Sequence, residues 1–218
     1  AYGAQDIYLT GNPQITFFKV VYRRHTNFSM EAIEQTINGA ATANNSVSVT
    51  ISRNGDLVGR TYLEVDTGSV NIANYGHELI DNVELEIGGQ RIDKHFGHWM
   101  ETWAELTESN DSCNCATAEL NMLQTGKDDG NYATKFQKMA GAGGVLANTA
   151  DMGVLFVPLQ FWFCRNPGLA LPLIALQYHE VKLKIVFSSN YSASSSTKVF
   201  CDYIYLDTDE RRRFAQVS

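Results

Sequence analysis

The stretch DNVELEIGGQRIDKH, residues 81–95, decides the fold of this chain. Its apolar residues alternate with polar ones, and a period of two is typical of a strand with one buried face. Gly88-Gly89 then permits the positive backbone angles of a tight two-residue turn. The stretch therefore predicts a β-hairpin over residues 79–94 and a protein built from antiparallel sheet.

Other segments of the chain carry similar strand patterns. They are residues 15–22, 28–37, 47–51, 57–65, 154–164, 181–187 and 199–206, the last of them apolar on both faces. Asn54-Gly55 is a strong signal for a tight turn and predicts a second hairpin, between the third and fourth of these segments. Eight or nine strands without a βαβ rhythm predict an all-β fold, an antiparallel sandwich of two sheets.

Two segments show helical patterns instead. Trp99, Trp103 and Leu106 recur at helical spacing, which predicts a short helix over residues 97–108. Acidic residues come first in residues 207–214, as the helix dipole prefers, and they predict a second helix there.

Residues 109–153 form a long excursion between strands and are rich in Gly, Asn, Asp and Ala. They predict a surface loop with helical turns around residues 117–124 and 132–139. The run Gly141-Ala142-Gly143-Gly144 follows no clear strand and predicts a flexible linker.

The charge of the chain limits its possible partners. The chain has 218 residues and a net charge of −7, and acidic chains repel phosphate backbones. The basic run Arg211-Arg212-Arg213 is offset by Asp207, Asp209 and Glu210. The sequence therefore predicts no direct contact with nucleic acid.

Residues 152–176 are very apolar but do not predict a membrane span. A spanning helix needs about twenty uninterrupted apolar residues, whereas this segment contains Pro158, Arg165, Pro167 and Pro172. Buried strands joined by turns are the better interpretation.

The four cysteines are too few and too scattered for a disulfide scaffold. Cys164 and Cys201 lie in apolar runs and are predicted to be small buried hydrophobic residues. This cysteine usage fits a protein made for a reducing compartment.

Two sets of residues have the chemistry of metal ligands. His95, His98, Cys113 and Cys115 are types that bind zinc, but Cys-x-Cys is tighter than the usual spacing of structural zinc sites. His95, His98 and Glu101 are spaced differently from the ligands of the metal-dependent jelly-roll enzymes called cupins. We therefore predict no metal, no cofactor and no catalytic residue.

Five blocks of sequence carry a family resemblance. They are GNPQITFFK with YRR at residues 11–24, ISRNGDL at 51–57, VELEIGGQRIDKH at 83–95, PGLALPLIALQYHEVKL at 167–183, and DYIYLDTDERRRFA at 202–215. In this order they resemble the major capsid proteins of nucleocytoplasmic large DNA viruses, most closely the algal-virus (phycodnavirus) type. The blocks span almost the whole chain.

The resemblance implies a fold and a structural, non-enzymatic role. Members of this family carry two consecutive jelly rolls, so the chain is expected to be an antiparallel eight-stranded jelly-roll sandwich, with short helices in its loops. Three copies of a member form a capsomer with a pseudo-hexagonal outline, and capsomers tile an icosahedral shell over an internal membrane. The implied partners are a homotrimer, neighbouring capsomers and minor capsid proteins. The implied location is the virion capsid, assembled in the host cytoplasm.

The resemblance also implies how the chain is divided. Residues 1–14 are expected to form an N-terminal arm, and residues 15–207 the jelly roll, with residues 109–153 as a long variable loop inserted into it. Residues 208–218 are expected to begin a linker to a second jelly roll that is absent from this chain.

Four Asn-x-Ser/Thr sequons are present, at Asn27, Asn44, Asn110 and Asn190. Family members can be glycosylated on the outer surface. Asn110 and Asn190 lie in predicted loops, so these two are the candidate glycosylation sites.

An alternative function is a carbohydrate-binding jelly-roll module that attaches a virion to its host. Such a module needs an exposed aromatic platform. Trp99, Trp103 and Trp162 are the tryptophans that could supply it, but they lie in apolar contexts, which favours the capsid role.

Overall fold

The computed structural model describes residues 27–68, 70–108, 134–145, 147, 152–193 and 197–216. The strands in these ranges are β1 (Phe28–Gln35), β2 (Ile37–Asn38), β3 (Ser46–Thr50), β4 (Leu57–Asp66), β5 (Ile80–Ile87), β6 (Gln90–Phe96), β7 (Val154–Pro158), β8 (Leu171–Pro172), β9 (Val181–Phe187) and β10 (Lys198–Leu206). The helices are α1 (Tyr75–Glu78), α2 (Gly97–Thr107), α3 (Lys135–Ala140), α4 (Trp162–Arg165) and α5 (Thr208–Gln216), with a 3₁₀ turn at Pro167–Leu169. The predicted strand at residues 15–22 and the predicted helical turn at 117–124 lie outside the described residues.

The strands form two five-stranded antiparallel sheets. Sheet I has the order β1-β10-β4-β7, with β8 also paired to β4, and sheet II has the order β2-β3-β9-β5-β6. The chain passes repeatedly from one sheet to the other, and eight of the strands are longer than two residues. This arrangement confirms the predicted antiparallel jelly-roll sandwich.

The core fills the space between the two sheets, because alternate residues of each strand point inward. Its largest fully buried side chains include Leu63, Leu85, Leu155, Leu183, Phe187 and Tyr203. Cys201 is fully buried too, and burial raises the pKa of its thiol to about 12. Cys164 is half-buried and packs against this core, so both cysteines serve as small hydrophobic residues.

The predicted hairpin around Gly88-Gly89 is confirmed. Ile87 pairs with Gln90 across a two-residue turn that joins β5 to β6. Gly88 has a φ of 62° and Gly89 a φ of 82°, the conformation that a type I′ turn requires at both positions.

The predicted hairpin at Asn54-Gly55 is wrong. Strand β3 belongs to sheet II and β4 to sheet I, so the segment between them crosses from one sheet to the other. The Arg53 guanidinium donates hydrogen bonds to the carbonyl oxygens of Leu176 and His179, both at 2.9 Å, and also to that of Gln177. These contacts hold the segment across the end of the sandwich, where a hairpin would have turned back within one sheet.

The helical predictions agree with the structure in the described residues. Helix α2 matches the predicted helix at 97–108, and α5 matches the one at 207–214. Helix α3 falls in the predicted turn at 132–139 and begins with a capping box between Thr134 and Gln137.

Two segment predictions need correction. The strand expected over residues 154–164 ends at Pro158, and residues 162–165 form α4, because a short apolar run alone does not distinguish a buried strand from a buried helix. The prediction of a flexible linker over residues 141–144 is also wrong, because the backbone amides of Gly143 and Gly144 donate hydrogen bonds to Glu101. Among the helices of the described ranges, none has the length and apolar character that crossing a membrane requires.

Candidate assembly surface

The outer face of sheet II is charged and suits contact with water. Glu84 on β5 lies 3.0 Å from the ammonium of Lys94 and 3.4 Å from the guanidinium of Arg91, both on β6. The hydrogen bond from Lys94 lowers the pKa of Glu84. On β9, Lys182 pairs with Glu180 at 2.8 Å.

Three aromatic rings lie together on the outer face of sheet I, over its middle strands. Tyr62 on β4 stacks on Phe200 of β10, with ring centroids 5.6 Å apart and planes 16° apart. Phe156 on β7 meets the other side of Tyr62 edge-on at 6.2 Å. All three rings are half-buried.

The apolar character continues to the edge of sheet I. Met30 on β1 pairs in register with Ile204 on β10, which pairs with Leu57 on β4. Phe28 is 62% exposed and Met30 is 56% exposed, whereas Leu57 and Ile204 beside them are each only 8% exposed. We call the set Phe28, Met30, Leu57, Tyr62, Phe156, Phe200 and Ile204 the apolar face.

Charged groups also lie on this outer face. Glu34 on β1 is in register with Phe200, and Arg60 on β4 is exposed. Lys198 and Glu64 face each other across β10 and β4 at 3.8 Å. Asp202 is partly buried, and burial raises its pKa although the nearby Arg60 opposes this change. Exposed apolar patches of this kind mark surfaces that contact other proteins or membranes.

The sequence contained one signal for the apolar face. Residues 199–206 are apolar on both faces, and in the structure Val199, Cys201 and Tyr203 are buried in the core, while Phe200 lies on the outside. The contributions of β1 and β7 could not be predicted, because strand order decides which residues become neighbours.

The residues with the chemistry of metal ligands, where no metal is predicted, do not come together in the described part of the chain. His95 is buried beside Phe161, with ring centroids 4.5 Å apart, and beside Trp99 at 5.6 Å. Burial lowers the pKa of His95 to about 4. His98 is exposed at the start of α2, and Glu101 pairs with His77. Cys113 and Cys115 lie outside the described residues.

One of the two candidate glycosylation sites lies in the described part of the chain. Asn190 is exposed in the loop after β9, where its Nδ2 donates a hydrogen bond to Oε1 of Glu78 at 3.0 Å. Asn110 lies outside the described residues. Asn27 and Asn44 carry the other sequons and are also exposed.

The three tryptophans do not form an open sugar-binding platform. Trp99 stacks on Trp103 at 5.6 Å, and the guanidinium of Arg165 lies over both rings, 5.2 Å from Trp99 and 4.4 Å from Trp103. Trp162 meets Phe163 edge-on at 5.3 Å. All three are half-buried, so these tryptophans do not favour the carbohydrate-binding alternative.

Comparison with known proteins gives one consistent family. The family description "Major capsid protein N-terminus" matches residues 16–207. The chain is 52% identical to a major capsid protein of Pyramimonas orientalis virus, and the match covers all of this chain and 54% of that protein. It is 47% identical to a major capsid protein of Paramecium bursaria Chlorella virus 1, again over all of this chain and 49% of that protein.

Solved structures agree with this result. A chain in a quasi-atomic model of the PBCV-1 virus capsid matches with a TM-score of 0.69 and 42% identity, over 92% of this chain and 48% of that one. A Faustovirus major capsid protein shares the fold with a TM-score of 0.60 at 12% identity, over 99% of this chain and 60% of that one. The chain spans about half the length of the relatives that it matches.

Proposed function

The chain belongs to the major capsid protein family of large DNA viruses, and from this premise we propose that it is a structural part of a virus shell. In this proposal residues 15–207 are the first jelly roll of a protein about twice as long, with 109–153 as its variable loop. Residues 1–14 form an N-terminal arm, and residues 208–218 begin the linker to the second jelly roll. The family is one of structural proteins, not enzymes.

The observation that carries the proposal is the contrast between the two outer faces of the sandwich. Sheet II presents paired charges, whereas sheet I presents the apolar face. A shell protein needs one surface that stays in water and another that is covered by neighbouring protein. Covering large apolar side chains contributes about 1.5–3 kcal/mol for each one that is fully buried.

We assign the apolar face to the second jelly roll of the full-length protein. Helix α5 follows β10, the strand that supplies Phe200 and Ile204, so the chain leaves the sandwich beside this face. The start of α5 is held in place, because Nε of Arg211 lies 2.9 Å from Oδ1 of Asp56, whose Oδ2 accepts a hydrogen bond from the Leu206 amide. This contact fixes the point at which the following chain leaves the sandwich.

The higher assembly follows from two jelly rolls per copy. Three copies place six similar bodies around one axis, which produces a pseudo-hexagonal capsomer. Such trimers tile a plane and, with minor capsid proteins, close an icosahedral shell. We propose the virion capsid as the site of function and the host cytoplasm as the site of assembly.

Asn190 and Asn110 are proposed as glycosylation sites of the assembled shell. Asn190 is exposed, and its contact with Glu78 needs only one of its two amide hydrogens, so a sugar can replace the other. Peptide mass mapping of protein from virions tests this directly. The proposal would be refuted if the peptides that contain Asn190 and Asn110 were found only in unmodified form.

A pair of lysine substitutions tests the assembly proposal. Met30→Lys places a charge on the apolar face. Ser46→Lys places one on the outer face of sheet II, opposite the uncharged Val186. In the full-length protein, Met30→Lys should reduce the yield of folded trimer on the order of tenfold, because it buries an unpaired charge. Ser46→Lys should leave the yield unchanged, as measured by size-exclusion chromatography with light scattering. Equal yields for the two variants would show that the apolar face is not covered.

A further inference from the structure

A polar cluster lies at the end of the sandwich where β4 ends and β5 begins. Its centre is the carboxylate of Glu101 on α2, whose Oε2 lies 2.6 Å from Nδ1 of His77 on α1. The Gly143 amide donates to both carboxylate oxygens, at 3.0 and 3.1 Å. The Gly144 amide donates to Oε1 at 3.0 Å.

Asn74, at the start of α1, provides a second acceptor for the same loop. Its Oδ1 accepts hydrogen bonds from the amides of Gly144 at 2.9 Å and Val145 at 2.7 Å. The backbone N–H of Asn74 donates a hydrogen bond to the Val145 carbonyl oxygen at 2.9 Å. Two connections that are distant in sequence are therefore tied together, the one between β4 and β5 and the return of the 109–153 excursion.

The backbone at Gly143 and Gly144 is shaped to receive an anion. Their φ angles are 81° and 96°, values that favour glycine, and they turn successive amides toward one point. Such a concavity of amides is known to bind anions. Here the Glu101 carboxylate occupies it, as an anion supplied by the protein itself.

Charge and burial support an ionised Glu101. Burial acts to raise the pKa of Glu101, but the hydrogen bonds from His77, Gly143 and Gly144 outweigh it, so the pKa lies below its ordinary value. His77 is itself buried, and its Nε2 has no hydrogen-bond partner in the described structure. The imidazole is therefore placed to donate from Nδ1 to the carboxylate.

We propose that Asn74, His77, Glu101, Gly143 and Gly144 form a loop latch, which holds the return of the excursion against α1 and α2 and opens while the sandwich stays folded. The latch is polar and lies beside the small buried side chains of Ala142 and Val145, whereas the sandwich is held by its core and by the strand ladders. Its release therefore frees residues 141–145 without disturbing the sheets.

Hydrogen exchange on the full-length protein tests the latch. Glu101→Gln keeps the size of the side chain but removes its charge. We expect exchange at the amides of Gly143 and Gly144 to become about 10–100-fold faster, and exchange in β5 and β9 to stay unchanged. Glu108→Gln, at the exposed end of α2, is the matched control and should change neither. Unchanged exchange at Gly143 and Gly144 in Glu101→Gln, or an equal increase in the sheets, would overturn the proposal.

Chemical rescue separates an anion-binding loop from a general packing effect. In Glu101→Ala, added acetate should enter the vacated concavity and slow exchange at Gly143 and Gly144, whereas the same concentration of methylammonium chloride should not. Exchange that acetate does not slow would contradict the role of the carboxylate. If Glu101→Ala fails to fold, Asn74→Gly removes the second acceptor at a left-handed position that glycine tolerates, and faster exchange limited to Gly144 and Val145 is then the expected result.

Discussion

The hydroxyl of Tyr203 donates a hydrogen bond to the carbonyl oxygen of Ser52 at a distance of 2.5 Å. Tyr203 lies on β10 in sheet I, and Ser52 begins the segment that leaves sheet II. Gln35 completes the contact, because its Oε1 accepts from the Ser52 amide at 2.9 Å and lies 3.0 Å from the tyrosine oxygen. This buried polar group fixes the place where the chain changes sheets.

Removal of the Tyr203 hydroxyl should destabilise the protein. Tyr203→Phe leaves the Ser52 carbonyl and the buried Gln35 side chain without one partner, which costs about 1–3 kcal/mol of unfolding free energy. Tyr205→Phe is the control, since that hydroxyl reaches only the exposed Glu31 at 3.3 Å and should contribute less than about 0.5 kcal/mol. Urea unfolding measures both, and equal stability of the two variants would contradict this role for Tyr203.

The same region shows why one hairpin could be predicted and the other could not. Gly88-Gly89 lies between two alternating strands, and local geometry alone decides that turn. Asn54-Gly55 is equally turn-like, but Gly55 packs against Tyr203, with only 3.0 Å between its would-be Cβ and the tyrosine Cβ. Contacts with residues about 150 positions away therefore override the local signal, and no local pattern reports them.

Arg53 should stabilise this crossing through its carbonyl contacts. Arg53→Met keeps most of the side-chain length but leaves the carbonyls of Leu176, Gln177 and His179 without their charged donor. We expect a loss of about 1.5–3 kcal/mol, the usual contribution of hydrogen bonds to a charged group. Arg91→Met, which removes only a 3.4 Å contact on an exposed surface, should cost less than about 1 kcal/mol. Thermal unfolding measures the loss of stability in both variants. A smaller loss of unfolding free energy for Arg53→Met than for Arg91→Met would count against this role of Arg53.

Gly97 should not tolerate a side chain. A Cβ at this position would lie 2.2 Å from the carbonyl oxygens of both His77 and Ile80, so the start of α2 would have to move. We expect Gly97→Ala to cost more than about 3 kcal/mol. A Cβ at Gly89 would have no atom within 4 Å, so Gly89→Ala costs only the free energy of a positive φ in a residue with a side chain, about 1 kcal/mol. Denaturant midpoints compare the two, and the reverse order would be incompatible with the packing described.

His95 should make stability depend on pH. Its pKa is about 4 in the folded protein against 6.5 when unperturbed, so the unfolded chain binds the proton first as the pH falls. The contribution of neutral His95 to the free energy of unfolding is therefore fully present well above pH 6.5 and is lost as the pH falls toward 4. Between pH 7 and pH 5 the loss is about 2 kcal/mol.

His95→Phe provides the measurement for this effect. Without the titrating ring, the free energy of unfolding should change about 2 kcal/mol less between pH 7 and pH 5 than in the unmodified protein. His98→Asn, which removes an exposed histidine, should keep the original pH dependence. Parallel pH profiles for the unmodified protein and His95→Phe would exclude His95 as the cause.

The candidate surface was harder to predict than the fold. Alternation within single strands predicted most strands of the two sheets, because that pattern is local. The apolar face requires knowing that Met30, Ile204 and Leu57 lie on neighbouring strands, which depends on strand order. The loop latch joins Asn74 to Gly144, and the glycine run that forms it has the same composition as a flexible linker.

Oxidation of Met30 tests most directly the claim that the apolar face is covered by the second jelly roll. Met30 is 56% exposed in this chain. After brief peroxide treatment, we expect Met30 to be oxidised about tenfold more slowly in the purified full-length protein than in the isolated chain, with free N-acetylmethionine added to both samples as the reference. If Met30 is oxidised as fast in the full-length protein as in the isolated chain, the account is contradicted.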